Sequence, residues 1–144
     1  MDKKFICYCG LYCENCAVKA RVEPAAQALR DEMKKAGFEE IIRFLPGGEG
    51  FWQFLGGMAE DGVCVSCKQG SGNPACPVRV CAREKNVEAC ALCDAYPCKL
   101  FDKFFEGYPV LQHDNTLLRE DPAAWTALQD RRRAEGFTYA DDRL

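Results

Sequence analysis

Apolar positions along this chain recur at helical spacing in several stretches and alternate strictly almost nowhere. From Tyr96 to Gly107, the residues Tyr96, Leu100, Phe101, Phe104 and Phe105, with Tyr108 just beyond, share one broad face. Side chains three and four residues apart line one side of a helix, so this spacing predicts an amphipathic helix whose aromatic stripe packs into the core. Glu23-Pro24 to Ala36-Gly37 predicts another: an acidic residue and a proline open it, Lys34 and Lys35 sit at its negative end, and Gly37 stops it. Glu39 to Leu45 predicts a shorter helix, ended by Pro46-Gly47-Gly48. Phe51-Trp52-Gln53-Phe54-Leu55, followed by Gly56-Gly57, predicts a short helix pressed into the core. Pro77 to Lys85 predicts one more. The best punctuated helix is Asp121 to Gly136, with Asp121 as cap, Pro122 in the first position, Gly136 as stop and Trp125 and Leu128 as buried contacts. Strand signal is slight. The fold class is therefore mainly α: a small irregular domain of short helices spanning 1–144. Within it, 62–98 forms a possible knuckle subdomain and 121–136 a C-terminal helix.

Cysteine changes this picture most. The chain of 144 residues has 11 cysteines, and ten fall in three tight clusters. The first is Cys9, Cys13 and Cys16, with Cys7 just ahead; the second is Cys64 and Cys67, then Cys76 and Cys81; the third is Cys90, Cys93 and Cys98. Two sulfurs three residues apart reach one ion without strain, the spacing of structural zinc knuckles and of iron–sulfur ligands. The ten clustered cysteines are the candidate metal ligands. Cys64, Cys67, Cys76 and Cys81 supply a tetrahedral set within one short segment, tethering the glycine-rich loop from Lys68 to Pro74. The other six lie far apart in sequence and are short of partners, which places the first and third clusters side by side in space. Cys98, in the first turn of the aromatic helix, is the best candidate for a reactive thiolate. His113, the single histidine, is either a fourth ligand for a three-cysteine set or a loop residue after the aromatic helix. Cys7 is either a spare thiol or a core residue.

Zinc is the leading cofactor and an iron–sulfur cluster the alternative. Cys9-x3-Cys13-x2-Cys16 has the spacing of the cluster ligands of radical S-adenosylmethionine enzymes, but this chain is too short for their barrel. The run of ferredoxin cysteines is absent. Gly47, Gly48 and Gly50 lack the residues of a phosphate loop, and no catalytic set such as His-Glu-x-x-His can be named.

Charge and hydropathy remove other classes. The net charge of −3 argues against a nucleic-acid partner, and Arg131-Arg132-Arg133 reads as a solvated helix face. No stretch has membrane-spanning length and no signal peptide is visible, so a cytoplasmic setting with reduced thiols is expected, rather than a secreted disulfide scaffold.

The order Cys9-Gly10-Leu11-Tyr12-Cys13-x2-Cys16, Cys64-x2-Cys67, Cys76-x4-Cys81, then Cys90-x2-Cys93-x3-Pro97-Cys98-x-Leu100 resembles the prokaryotic "domain of unknown function 3795" family. The Trp125 helix and the segment ending in Gly136-Phe137 are similar to its longer members. The resemblance implies a small cysteine-rich, metal-binding protein with no assigned activity. Three function classes follow: a structural zinc module that binds a protein partner, an iron–sulfur redox protein or enzyme with its cluster at Cys9, Cys13 and Cys16, and a thiol-based sensor or metal carrier.

Overall fold

The computed structural model describes residues 3–141. These divide into two compact units: one joins the residues up to Cys16 with those from Val65 onward, and the other is Ala17–Cys64. Seven α-helices and no strand ladder occur among the described residues; the nearest approach to a sheet is one isolated antiparallel bridge between Ile6 and Tyr12.

In the Ala17–Cys64 unit, a π-helical turn, Val18–Val22, runs directly into α1, Glu23–Lys35. Pro24 sits in the first turn, and Gly37 ends the segment at φ +74°. Sequence punctuation thus located this helix, but not the turn that precedes it. Next come α2, Phe38–Ile41, a 3-10 turn at Ile42–Phe44, and α3, Gly48–Glu60. Gly48 has no room for a side chain, because a Cβ there would lie 2.0 Å from the Ile42 carbonyl oxygen. Helices α1 and α3 pack together through Arg30, which pairs with Glu60 and lies 5.6 Å over the Trp52 ring. α3 is longer than Phe51–Gly57, and its aromatics are not pressed into a core. Leu55 is 1% exposed, but Phe51 is 44% and Phe54 65% exposed. In a pair of packed helices one face of α3 meets α1, and Phe54, one residue before Leu55, lies about 100° round the helix from it.

The larger unit holds the other helices: α4, Pro77–Glu84; α5, Lys99–Phe104; α6, Pro109–Glu120; and α7, Pro122–Ala134. Three 3-10 turns carry cysteines at Cys13–Asn15, Cys67–Gln69 and Cys90–Leu92. The core has two apolar clusters. One gathers Ile6, Tyr12, Ala89, Ala91 and Leu118 around the fully buried Trp125. Tyr12 meets Trp125 edge to face at 5.9 Å, the preferred arrangement of aromatic pairs. The other gathers Val78, Phe101, Phe105, Leu111 and Tyr139.

Two expectations need correction here. The aromatic helix is only Lys99–Phe104; the Tyr96-Pro97 peptide is cis and Cys98 is extended, so Cys98 is the N-cap rather than a first-turn residue. His113 is not on a loop. It lies on α6, a helix that the apolar pattern does not announce because its inward positions include Asp114 and Asn115, both fully buried.

α7 conforms to its punctuation: the Asp121 carboxylate accepts from the Ala123 and Ala124 amides, and Gly136 takes φ +73°. Trp125 is buried, but its fellow buried residue is Gln129, and Leu128 is half-buried. The arginine run is also more than a solvated face. Arg132 donates to the buried Asp114 carboxylate at 2.6 Å and stacks 4.6 Å over Phe137, while Arg133 pairs with Glu14. Asp114 Oδ2 further accepts from Gln129 Nε2 at 2.9 Å and lies 3.3 Å from the Tyr139 hydroxyl; Gln129 Oε1 in turn accepts from Asn15 at 2.8 Å. This buried polar network joins α6, α7 and the first cysteine turn. Among the described residues no helix is long and apolar enough to cross a membrane.

Candidate functional site

The cysteine loops owe their order to backbone pairing and to a few side chains from the helices. Gly10 turns the first loop at φ +84°, and the Asn115 side-chain amide donates to the Cys9 carbonyl at 2.9 Å. The amide packs so closely that a Cβ on Gly10 would lie 2.2 Å from Asn115 Oδ1. The first and third clusters are neighbours, as their shortage of partners suggests: the Cys90 amide donates to the Tyr8 carbonyl at 2.7 Å. Arg119 of α6 steadies the third cluster, donating to the carbonyls of Ala91 at 3.0 Å and Cys93 at 2.7 Å. The glycine-rich loop is ordered by its own polar groups. Ser71 Oγ accepts from Val65 N, the Ser66 hydroxyl accepts from Gln69 N, and Arg79 Nη1 donates to the Ser71 carbonyl at 3.0 Å.

No disulfide joins any of the eleven cysteines. In the larger unit their sulfurs assemble in two groups, and the grouping differs from the one that sequence proximity suggests. Cys76 and Cys81 turn towards the third cluster, and Cys67 joins the first. Cys81, Cys90, Cys93 and Cys98 border one cavity of about 20 Å³, closed by Tyr96 and Phe101 among others. Burial pushes the Cys90 thiol up to about 12, and the neighbouring Cys98, Cys81, Cys93 and Cys76 push in the same direction. The Lys85 ammonium lies 3.9 Å from Cys93 Sγ at the rim. Cys9, Cys76, Cys90 and Cys98 all pack against the Phe101 cluster.

The other group centres on Cys7, which the ten-ligand set leaves out. Cys7 Sγ is 3.1 Å from Cys13 Sγ, and Cys67 reaches the same sulfur. Hydrogen bonds from Cys13 and Cys67 hold the Cys7 thiol below its usual range, while the bond to Cys7, reinforced by burial, pushes Cys67 well up. The Tyr8 amide also donates to Cys67 Sγ, at 3.3 Å.

Of the remaining candidates, Cys16 closes the 3-10 turn, its amide donating to the Cys13 carbonyl. Cys64 belongs to the Ala17–Cys64 unit, where its amide and that of Val63 donate to Glu23 Oε1. His113 is mostly exposed, with Nδ1 at 3.2 Å from Asp114 Oδ1. Among the described residues, no three His, Cys, Asp or Glu side chains converge closely enough to hold an ion as they stand.

Of the sulfurs in these two groups, Cys7 alone lies outside the ten candidate ligands, and its two-residue offset from Cys9 was the available signal. The sequence pattern had no signal for Asn115 or Arg119, whose work is done through long-range bonds to backbone carbonyls.

No curated protein and no solved structure gives a match to this chain. A family model described as "Protein of unknown function (DUF3795)" matches residues 5–103, the stretch that contains all three cysteine clusters. The chain belongs to the DUF3795 family.

Proposed function

We propose that this protein is a metal-binding module in which a structural zinc ion ties the third cysteine cluster to α4. The observation that carries this reading is the cavity bordered by Cys81, Cys90, Cys93 and Cys98. Four thiolates are the complete ligand set of a closed zinc site, with no position left for a reacting water. The size is apt: a cavity of about 20 Å³ has little more room than one water molecule requires, about 10–15 Å³. That favours a single ion over a multi-iron cluster. The four sulfurs would have to draw inward on binding, each losing its proton, and Lys85 at the rim would offset part of the accumulated negative charge. Burial and the neighbouring sulfurs raise the Cys90 thiol, and a divalent cation reverses that balance. Cys76, whose charge also acts on Cys90, would be the alternative fourth ligand. Cys9, Cys13, Cys16, Cys64 and Cys67, the other ligands that spacing suggests, are outside this proposed set.

The module would act by binding a protein, for which the exposed Phe44 and Phe54 of the Ala17–Cys64 unit supply apolar contact area. A closed four-thiolate site suits holding loops rather than catalysis. Elemental analysis of anaerobically purified full-length protein tests the reading. One zinc per chain is expected, retained by Cys16→Ser and lost by Cys90→Ser. Iron with inorganic sulfide in place of zinc would overturn it in favour of the iron–sulfur alternative.

A further inference from the structure

The second thiol group has a different geometry and supports a different chemistry. Two thiolates on one tetrahedral zinc, each about 2.3 Å from the ion, stand about 3.8 Å apart. Cys7 and Cys13 are closer, at 3.1 Å. They face each other across a tight loop that is held shut at its mouth: Ile6 and Tyr12 form the antiparallel bridge, and the Cys7 amide donates to the Leu11 carbonyl at 2.8 Å. Joining the two sulfurs at about 2.05 Å closes a gap of roughly 1 Å and leaves the loop's end-to-end pairing in place. Both residues are buried, at 8% and 4% exposure, and Asn115 clamps the loop from outside through the Cys9 carbonyl. The backbone is thus already disposed for a bond between these two sulfurs. Cys67 and Cys9 also reach Cys7, and Cys67 is half-buried and anchored by the Tyr8 amide.

We propose that Cys7 and Cys13 are a disulfide-forming pair oxidised by a peroxide, separate from the zinc centre. The Cys7 sulfur, as thiolate, attacks one oxygen of the peroxide. An S–O bond forms, the O–O bond breaks, and the departing hydroxide leaves as water after taking a proton. Cys7 is then a sulfenic acid. The Cys13 sulfur attacks it: the S–S bond forms, the S–O bond breaks, and the released hydroxide takes the Cys13 proton and leaves as a second water. Two thiols lose two electrons and hydrogen peroxide gains them.

The test uses full-length protein purified anaerobically and titrated with hydrogen peroxide. Free thiols are blocked, disulfides reduced, and the newly freed thiols labelled and mapped by mass spectrometry. The expected result is that label appears first on Cys7 and Cys13, with an intact-mass loss of two hydrogens and unchanged zinc content. Cys7→Ser should abolish the early label. Cys13→Ser should leave Cys7 as a sulfenic acid that a dimedone-type probe captures. Label appearing first at other cysteines, or zinc released in step with oxidation of this pair, would overturn the proposal. The zinc reading stands or falls separately: protein that proves to hold no zinc should still oxidise at Cys7 and Cys13.

Discussion

Replacing Asp114 by alanine should be among the most damaging single changes in the larger unit. Its carboxylate is fully buried and accepts from Arg132 at 2.6 Å and Gln129 at 2.9 Å, with the Tyr139 hydroxyl at 3.3 Å. The Arg132 side chain is itself only 15% exposed. Removing the anion leaves a guanidinium out of bulk water without its partner, and a buried amide without its acceptor. Breaking one side of a buried pair costs about 3–5 kcal/mol. Unfolding entropy near the melting point is about 2.1 cal/mol/K per residue. For a chain of 144 residues this is about 0.3 kcal/mol/K, so Tm should fall by about 10–16 °C. Asp114→Asn keeps the shape and one acceptor and should cost less, about 1–2 kcal/mol. Urea unfolding and thermal melts of the parent, Asp114→Ala, Arg132→Met and the double variant decide the matter. The double variant should be more stable than the sum of the two single costs allows, because it no longer buries an unpaired charge. Single costs that simply add, or an Asp114→Ala protein that melts within about 3 °C of the parent, would refute the account of a coupled buried network.

Three further outcomes follow from other parts of the fold. Gly10→Ala forces a side chain into a left-handed backbone and against Asn115 Oδ1, so a loss of about 2 kcal/mol or more in urea unfolding is expected, partly relieved by adding Asn115→Ala. Burial raises the Tyr139 and Tyr12 phenols above their ordinary value. The fold therefore holds their protons more tightly than the unfolded chain, so this stability is complete below about pH 10 and declines as pH rises further; Tyr139→Phe should flatten the decline above about pH 10, measured as the urea midpoint relative to the parent. Arg119→Ala removes both bonds to the Ala91 and Cys93 carbonyls and should weaken zinc retention against a competing chelator by about 10–100-fold, with no change in the number of thiols.

Sequence punctuation read α1, α4 and α7 well, because their starts and stops rest on local chemistry: Pro24, Pro77 and Pro122 in first turns, Gly37 and Gly136 at positive φ. It overextended the aromatic helix, since nothing in the apolar spacing discloses that the chain is still extended at Cys98. α6 escaped because Asp114 and Asn115 occupy core positions where apolar residues are expected, and their partners are remote: Arg132 and Gln129 on α7, and the Cys9 carbonyl. The same distance explains the thiol grouping. Adjacency suggested one set from Cys64 to Cys81, whereas Cys67 meets Cys7 and Cys81 meets Cys90. Those meetings depend on how the helices pack, and a spacing rule carries no such information. The first and third clusters do lie side by side, through the Cys90 amide and the Tyr8 carbonyl, but each gains its further sulfur from the second cluster, Cys67 for the first and Cys81 for the third.

The Asn115 clamp and the Trp125 contact have a consequence for the order of events at synthesis. The loop that carries Cys7, Cys9 and Cys13 is made well before Asn115 and the residues that bury Tyr12 and Asn15, which are Trp125, Gln129 and Tyr139. At about 5–20 residues per second, those thiols wait on the order of ten seconds before their covering helices exist. During that interval the cysteines of this loop are exposed together on the nascent chain, and the residues that enclose them lie beyond the family-matched stretch.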